Sequence, residues 1–238
     1  MARLRNRLTV ALLALALVAW AAAAHATLGI DLTPSAPYEN GGPTTFGVST
    51  GYTVVGWSFT PKTDLYLTRL GVWDADKDKI HSELHYVGIW AAGNPSSPLA
   101  SVSINEQTRN VPETSPNGAY FHFGNLTAPL RLSAGATYAV GATLYAGLAN
   151  STPDFDAFAS IKGDSPVFLN PNITYLGNAY AINGTNGLVF PGSTYTESEY
   201  TIGSNIDVTP VPIPGAVLLL GSGLAGIVGM RNLAGRKF

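Results

Sequence analysis

Thr137-Tyr138-Ala139-Val140-Gly141-Ala142-Thr143-Leu144 alternates residue by residue, with Tyr138, Val140, Ala142 and Leu144 on one side and Thr137, Ala139, Gly141 and Thr143 on the other. A repeat of two is that of a strand, whose successive side chains point to opposite faces; a helix would scatter these apolar groups around its axis. The alternation recurs in both directions from this stretch. Val55, Trp57 and Phe59 oppose Gly56 and Ser58, Ala100, Val102 and Ile104 oppose Ser101, Ser103 and Asn105, and Phe121 and Phe123 oppose Tyr120 and His122. One apolar face and one polar or small face per strand fits antiparallel sheets packed on one side. Within residues 65–73 the parity changes between Leu67 and Leu70, which predicts a bulge near Thr68-Arg69. Turn signals separate the segments: Ala91-Ala92-Gly93-Asn94-Pro95, Pro116-Asn117-Gly118 and Ser133-Ala134-Gly135. The expectation is an all-β domain over residues 27–210, an antiparallel two-sheet β-sandwich of jelly-roll or immunoglobulin-like type. Residues 148–199, dominated by Asn, Gly, Pro, Ser and Thr with scattered apolar anchors, read as short strands inside long loops.

Composition narrows the function classes. Only 12% of the 238 residues are charged, about half the share usual in soluble globular proteins. Six of the thirteen basic residues (Arg3, Arg5, Arg7, Arg231, Arg236 and Lys237) lie in the two ends, leaving seven basic against fifteen acidic residues between them. A body of that sign repels phosphate backbones, so no nucleic-acid partner is expected. The chain has no cysteine, which excludes disulfides, thiol nucleophiles and cysteine-rich metal sites.

The ends read as addresses. Residues 1–26 carry three arginines in seven residues, an apolar run from Leu8 and the exit Ala24-His25-Ala26, the layout of a secretory signal helix cleaved before Thr27. An uncleaved anchor is the alternative, but the apolar run is short for a span. At the other end, Val211-Pro212-Ile213-Pro214 leads into an uncharged stretch over residues 213–230, followed by Arg231, Arg236 and Lys237. At ~1.5 Å per residue such a helix reaches across a thin bilayer, and the trailing cations keep its end cytoplasmic. Its Gly and Ser content suits a transient transmembrane anchor in the inner membrane. Gly221-Ser222-Gly223-Leu224-Ala225-Gly226 matches the dinucleotide fingerprint GxGxxG, yet no acidic residue follows it in the twelve positions that remain, so the match is rejected.

The arrangement of residues 211–238, a short proline motif, an apolar span and a basic terminus, resembles the PEP-CTERM class of bacterial sorting signals in its Val-Pro-x-Pro variant, with Ile213 where Glu is commonest. The resemblance implies recognition of Val211, Pro212, Ile213 and Pro214 by an exosortase-type membrane protease that removes or exchanges the tail. Residues 60–147 also resemble a domain of unknown function that recurs in secreted bacterial proteins. The carriers are Gly56-Trp57-Ser58-Phe59, Leu70-Gly71-Val72-Trp73, Tyr86-Val87-Gly88-Ile89-Trp90, Pro98-Leu99-Ala100-Ser101 and the run from Leu132 to Gly141. That likeness implies a β-sandwich and brings no catalytic residues with it.

The residues able to do chemistry point away from an enzyme. Gly163-Asp164-Ser165 has no histidine after it to act as base. His81-Ser82-Glu83-Leu84-His85 has the wrong order for a zincin, and on a strand its histidines stand ~13 Å apart, so both are expected to face solvent. Most acids sit in turn-like contexts, unlike the facing pair of a glycosidase. Trp73, Trp90, Tyr120 and Tyr145 are candidates for a sugar-stacking platform if exposed. Asp74, Asp76 and Asp78 alternate after the segment ending at Trp73, an oxygen-only spacing that suits calcium and resembles the start of an EF-hand loop, although Lys79 replaces its glycine and His85 its last glutamate. The alternative is a solvated turn neutralised by Lys77 and Lys79. The function expected is a non-enzymatic exported protein, anchored briefly in the inner membrane and delivered to the cell surface or exopolysaccharide matrix; a carbohydrate-binding module and a secreted hydrolase are the alternatives.

Overall fold

The computed structural model describes residues 27–32, 52–74, 84–104, 113–118, 120–144, 159–161, 167–183, 187–195 and 200–212. The signal segment 1–26, the tail from 213 on, and Asp76 and Asp78 lie outside them. Among the described residues every element is a strand: β1 (Thr27–Leu28), β2 (Ile30–Leu32), β3 (Tyr52–Pro61), β4 (Leu65–Asp74), β5 (His85–Ala91), β6 (Ala100–Ile104), β7 (Glu113–Thr114), β8 (Tyr120–Leu132), β9 (Tyr138–Leu144), β10 (Ala159–Ile161), β11 (Val167–Leu169), β12 (Ile173–Asn183), β13 (Ser193–Tyr195), β14 (Tyr200–Ile202) and β15 (Ser204–Pro210).

All pairings are antiparallel. A five-stranded sheet runs β1-β15-β4-β8-β7 and a six-stranded sheet runs β13-β12-β3-β9-β5-β6, with two-stranded ribbons β2-β11 and β10-β14 beside them. The large sheets share one core in a sandwich-like arrangement. Val55, Trp57, Phe59, Val87, Ile89, Val140 and Ala142 come from one; Leu65, Leu67, Leu70, Val72, Ile206 and Val208 come from the other. These are the alternating apolar positions of each strand, whose burial supplies the main driving force for folding. Trp57 joins the two sheets, packing its ring 5.0 Å from Phe59 and 5.9 Å from Tyr175 and donating its indole N–H to the Ser204 carbonyl at 2.9 Å.

The expected parity change in β4 is present. Asp207 pairs with Arg69 and Val208 with Leu67, so Thr68 is the extra residue, and its hydroxyl donates to the Asp207 carbonyl at 3.2 Å. The bulge lets Leu65, Leu67, Leu70 and Val72 all face the inter-sheet core.

Two features depart from the sequence expectation. Residues 173–183 form a strand of eleven residues paired with β3 along its whole length, where only short strands were expected. A register shift between Tyr175 and Gly177, with Gly177 at φ 142°, breaks the alternation that would have marked it. The second is the orientation of β8. Leu70 and Val72 pair with Gly124 and His122, so the histidine side faces the other sheet, and a Cβ on Gly124 would meet Val102 of β6 at 2.9 Å. Phe121 and Phe123, with Trp73 and Gly71, therefore occupy the opposite, outer face, yet all three aromatic rings there are buried. This face carries an additional layer, and the cavity described below lies within it.

The outer face of the six-stranded sheet is covered as well. Gly56, Gly141 and Gly88 are direct neighbours across β3, β9 and β5. Residues 187–192 lie over this glycine row: a Cβ on Gly88 would stand 2.6 Å from Leu188 and one on Gly141 3.2 Å from Pro191. Phe190 meets Trp90 edge-on at 6.1 Å.

Candidate functional site

A cavity of about 350 Å³ opens between the outer face of the five-stranded sheet, the β2-β11 ribbon and the turn at 115–118. Its volume is at the lower end of small-ligand pockets.

Its floor is a charge pair on β4 and β15. Register opposes Arg69 and Asp207, and the Arg69 Nε donates to Asp207 Oδ2 at 2.6 Å while its terminal nitrogen lies 2.5 Å from the same oxygen. The guanidinium also stands 4.7 Å from the centre of the Phe123 ring. Gly71 makes room for that ring, since a Cβ there would be 2.5 Å from it. A planar cation held by a carboxylate edge and an aromatic face has little freedom left.

One wall is the ribbon. Asp31 and Phe168 are cross-strand partners, so their side chains stand together on one face. Asp31 is 6% exposed and Phe168 45%, which puts the carboxylate inside and the ring at the rim. Asp31 is held by the turn opposite. Gly118, at φ 96°, lets the chain close from Ser115 with a 2.9 Å bond, and this turns Asn117 so that its backbone N–H and Nδ2 both donate to Asp31 Oδ2, at 3.1 and 2.7 Å. Asn170 completes the wall. Its Nδ2 donates to Thr27 Oγ1 at 2.8 Å and to the Leu28 carbonyl at 3.1 Å, and its Oδ1 accepts from the Asn172 N–H at 2.9 Å in an Asx turn. Leu169, Pro116 and Pro171 supply apolar surface between these polar groups.

The candidates singled out from the sequence fall elsewhere. Asp74 ends β4, and Asp76 and Asp78 lie outside the described residues; among the described residues no three His, Asp or Glu side chains gather in a way that would hold a metal. His85, expected in solvent, is fully buried: it shares the inward parity of Val87 and Ile89, and its Nδ1 lies 2.9 Å from the Thr143 carbonyl. His122 is buried too, on the face turned toward the other sheet, and neither histidine lines the cavity. Trp73 and Trp90 are buried under the outer layers, so they form no exposed stacking platform; Tyr145 and Ser165 lie outside the described residues.

Val211 and Pro212 of the proline motif are described; Ile213 and Pro214 are not. The β15-β4 ladder runs through Pro210 opposite Leu65, and the Val211 N–H adds one further bond to the Asp64 carbonyl at 3.0 Å. Pro212 has no N–H to continue it and is exposed. Thr27, at the start of β1, pairs with Val208, so both ends of the described body emerge at the same end of one sheet. Among the described residues no helix is long and apolar enough to cross a membrane, and the span at 213–230 lies outside them.

The cavity was not legible in the sequence because its parts come from six separate segments, none with a recognisable spacing; the Pro116-Asn117-Gly118 turn signal was the one legible piece. No protein family, curated protein or solved structure matches the chain.

Proposed function

We propose that this chain is an exported, non-enzymatic protein of the cell surface or exopolysaccharide matrix, held briefly in the inner membrane by residues 213–230 and processed by an exosortase-type protease at the Val211, Pro212, Ile213 and Pro214 motif. The observation that carries the reading is the exit of β15: the last ladder bond is made by Val211, and Pro212 stands exposed where the sheet ends. A processing enzyme thereby meets its motif on a strand end that leaves the body intact when the tail is removed. The pairing of Thr27 with Val208 brings both ends of the described body to one pole, which suits attachment of both ends to one membrane. Within this reading the sandwich-like body is of jelly-roll or immunoglobulin-like type, and Asp74, Asp76 and Asp78 hold calcium weakly. The burial of both described histidines away from the cavity weighs against a hydrolase.

Intact-mass measurement of the protein recovered from the extracellular fraction tests this. The expected species begins at Thr27 and lacks Arg231, Arg236 and Lys237; a matrix species that still ends in Phe238 would refute it. Deleting residues 211–238 should abolish retention at the membrane and leave the body exported.

A further inference from the structure

We propose that Asn117-Gly118 is a hydrolytic modification site, held unreactive by Asp31 and converted irreversibly to aspartate or isoaspartate when the turn at 115–118 opens. The chemistry depends on the turn itself, wherever the protein is delivered. Glycine follows asparagine four times in the sequence, at Asn40-Gly41, Asn117-Gly118, Asn183-Gly184 and Asn186-Gly187. A residue without Cβ lets its backbone nitrogen approach the preceding side-chain amide, which is why this pairing loses that amide most easily. The Gly118 N–H gives its proton to hydroxide, and the nitrogen forms a bond to Asn117 Cγ. The Cγ–Nδ2 bond breaks, and Nδ2 leaves as ammonia with a proton taken from water. Water then opens the resulting five-membered imide, at Cγ to give aspartate or at the backbone carbonyl to give isoaspartate. Water is the only co-reactant, and no oxidation or reduction occurs.

Asn117-Gly118 is the one pair of the four with both residues described, and each of its reacting groups is occupied. The Gly118 N–H donates to the Ser115 carbonyl at 2.9 Å, which makes that nitrogen harder to strip of its proton. Asn117 Nδ2, the leaving group, donates to Asp31 Oδ2 at 2.7 Å, and the residue's own N–H donates to the same oxygen at 3.1 Å. Bonds to a carboxylate are strong, and Asp31 is itself buried and fixed in β2 by pairing with β11. The side chain must give them up before Cγ can swing onto the Gly118 nitrogen. Conversion then reverses the contact. Aspartate brings a second carboxylate to Asp31 where a donor stood, and isoaspartate adds a methylene to the main chain of a turn closed by one bond. The change is one negative charge at the contact itself. It holds whatever else lines the cavity, including Arg69, Asp207 and the α-ammonium that Thr27 carries in the mature chain. Either product loosens the wall between turn and ribbon, so Asp31 sets the lifetime of the cavity.

The test ages the full-length chain in detergent at mildly alkaline pH, in buffer and in concentrated urea, and follows the four Asn-Gly pairs by peptide mapping with mass spectrometry. In urea all four should deamidate at similar rates, since the dipeptide alone then governs the reaction. In the folded chain Asn117 should react about tenfold more slowly or less, because its bonds to the carboxylate must first break. Asp31→Ala should return Asn117 toward its urea rate and leave the other three pairs unchanged. Should that variant not fold, Asp31→Asn, which keeps the shape and removes the charge, should give a smaller rise. Asn117→Asp presents the product and should lower the melting temperature, and combining it with Asp31→Asn, which exchanges amide and acid, should restore most of the loss. Equal rates for Asn117 in urea and in buffer, no reaction of Asn117 in urea, or an unchanged rate in a folded Asp31 variant would each overturn the inference. So would an Asn117→Asp melting temperature that equals the native value or that Asp31→Asn fails to restore.

Discussion

Replacing Trp57 by Phe removes a donor that no other group at that position replaces. Along β15 the carbonyls alternate in direction: Gly203 accepts from Trp73 of β4, while Ile206 accepts from Gly29 on the other side. The Ser204 carbonyl points the same way as that of Ile206, toward the strand that begins as β1. That strand has already turned away, because Ile30 bonds to the Asn205 side chain through both its N–H, at 3.2 Å, and its carbonyl, at 2.7 Å. The indole of the opposite sheet therefore serves as the missing ladder partner, at 2.9 Å. Phenylalanine leaves a buried carbonyl unsatisfied, a loss of about 1–3 kcal/mol. The smaller ring also gives up burial worth about 1–2 kcal/mol in a site that is closed on all sides. Together the change should cost about 3 kcal/mol, a large share of the 5–15 kcal/mol typical of a domain. Urea unfolding followed by far-ultraviolet circular dichroism measures it as a lower midpoint at unchanged slope. A loss below about 1 kcal/mol would show that the Ser204 carbonyl finds another partner, and the indole would no longer count as the bond that joins the two sheets.

Three further outcomes follow from the same geometry. Gly56→Ala should prevent soluble folding, because its Cβ would lie 1.8 Å from the Val140 carbonyl oxygen, whereas Gly93→Ala, with nothing within 4 Å, should leave the urea midpoint unchanged; similar behaviour of the two would contradict the close approach. The Asp64 carboxyl is held below its ordinary range, first by the Ala134 N–H and then by the Arg131 guanidinium. Its contribution is present above the unfolded-state value of about 3.9 and is lost as pH falls through the lower folded value, so Asp64→Asn should flatten the fall in urea midpoint between pH 5 and 3, and an unchanged fall would exclude this linkage. Calcium should raise the melting temperature of the native chain but not that of the Asp76→Ala, Asp78→Ala double variant, and an identical response in both would leave the solvated turn as the reading of that loop.

The fold was legible where each strand buries one face. Val55, Trp57, Phe59, Val140 and Ala142 alternate without interruption and face the core as their period requires. Even the bulge at Thr68 could be read, because the apolar positions on its two sides differ in parity. Legibility failed where a strand buries both faces or is broken inside. In β8 the apolar side, Phe121 and Phe123, faces outward under a second layer while His122 turns inward, an exchange that alternation alone cannot reveal. In β12 the irregularity at Gly177 and the polar Asn178 hid a strand of eleven residues, ten of which pair with β3. The cavity was least legible of all. Asp31 owes its place to a partner 86 positions away, and Arg69 to one 138 away, so the constellation exists only after the sheets have closed.

The placement of β15 between β1 and β4 sets an order of events as the chain is made. Both of its neighbours emerge long before it does: Thr27 waits for Val208 across 181 positions, and Arg69 waits for Asp207 across 138. For a chain delivered N-terminus first, the five-stranded sheet has a vacant lane until residue 210 has emerged, and contacts so distant in sequence are slow to form. Closure of the sheet thus waits for the last strand of the described body. The last strand acts as a clock, because the lane between β1 and β4 is filled only when residues 204–210 are available to pair.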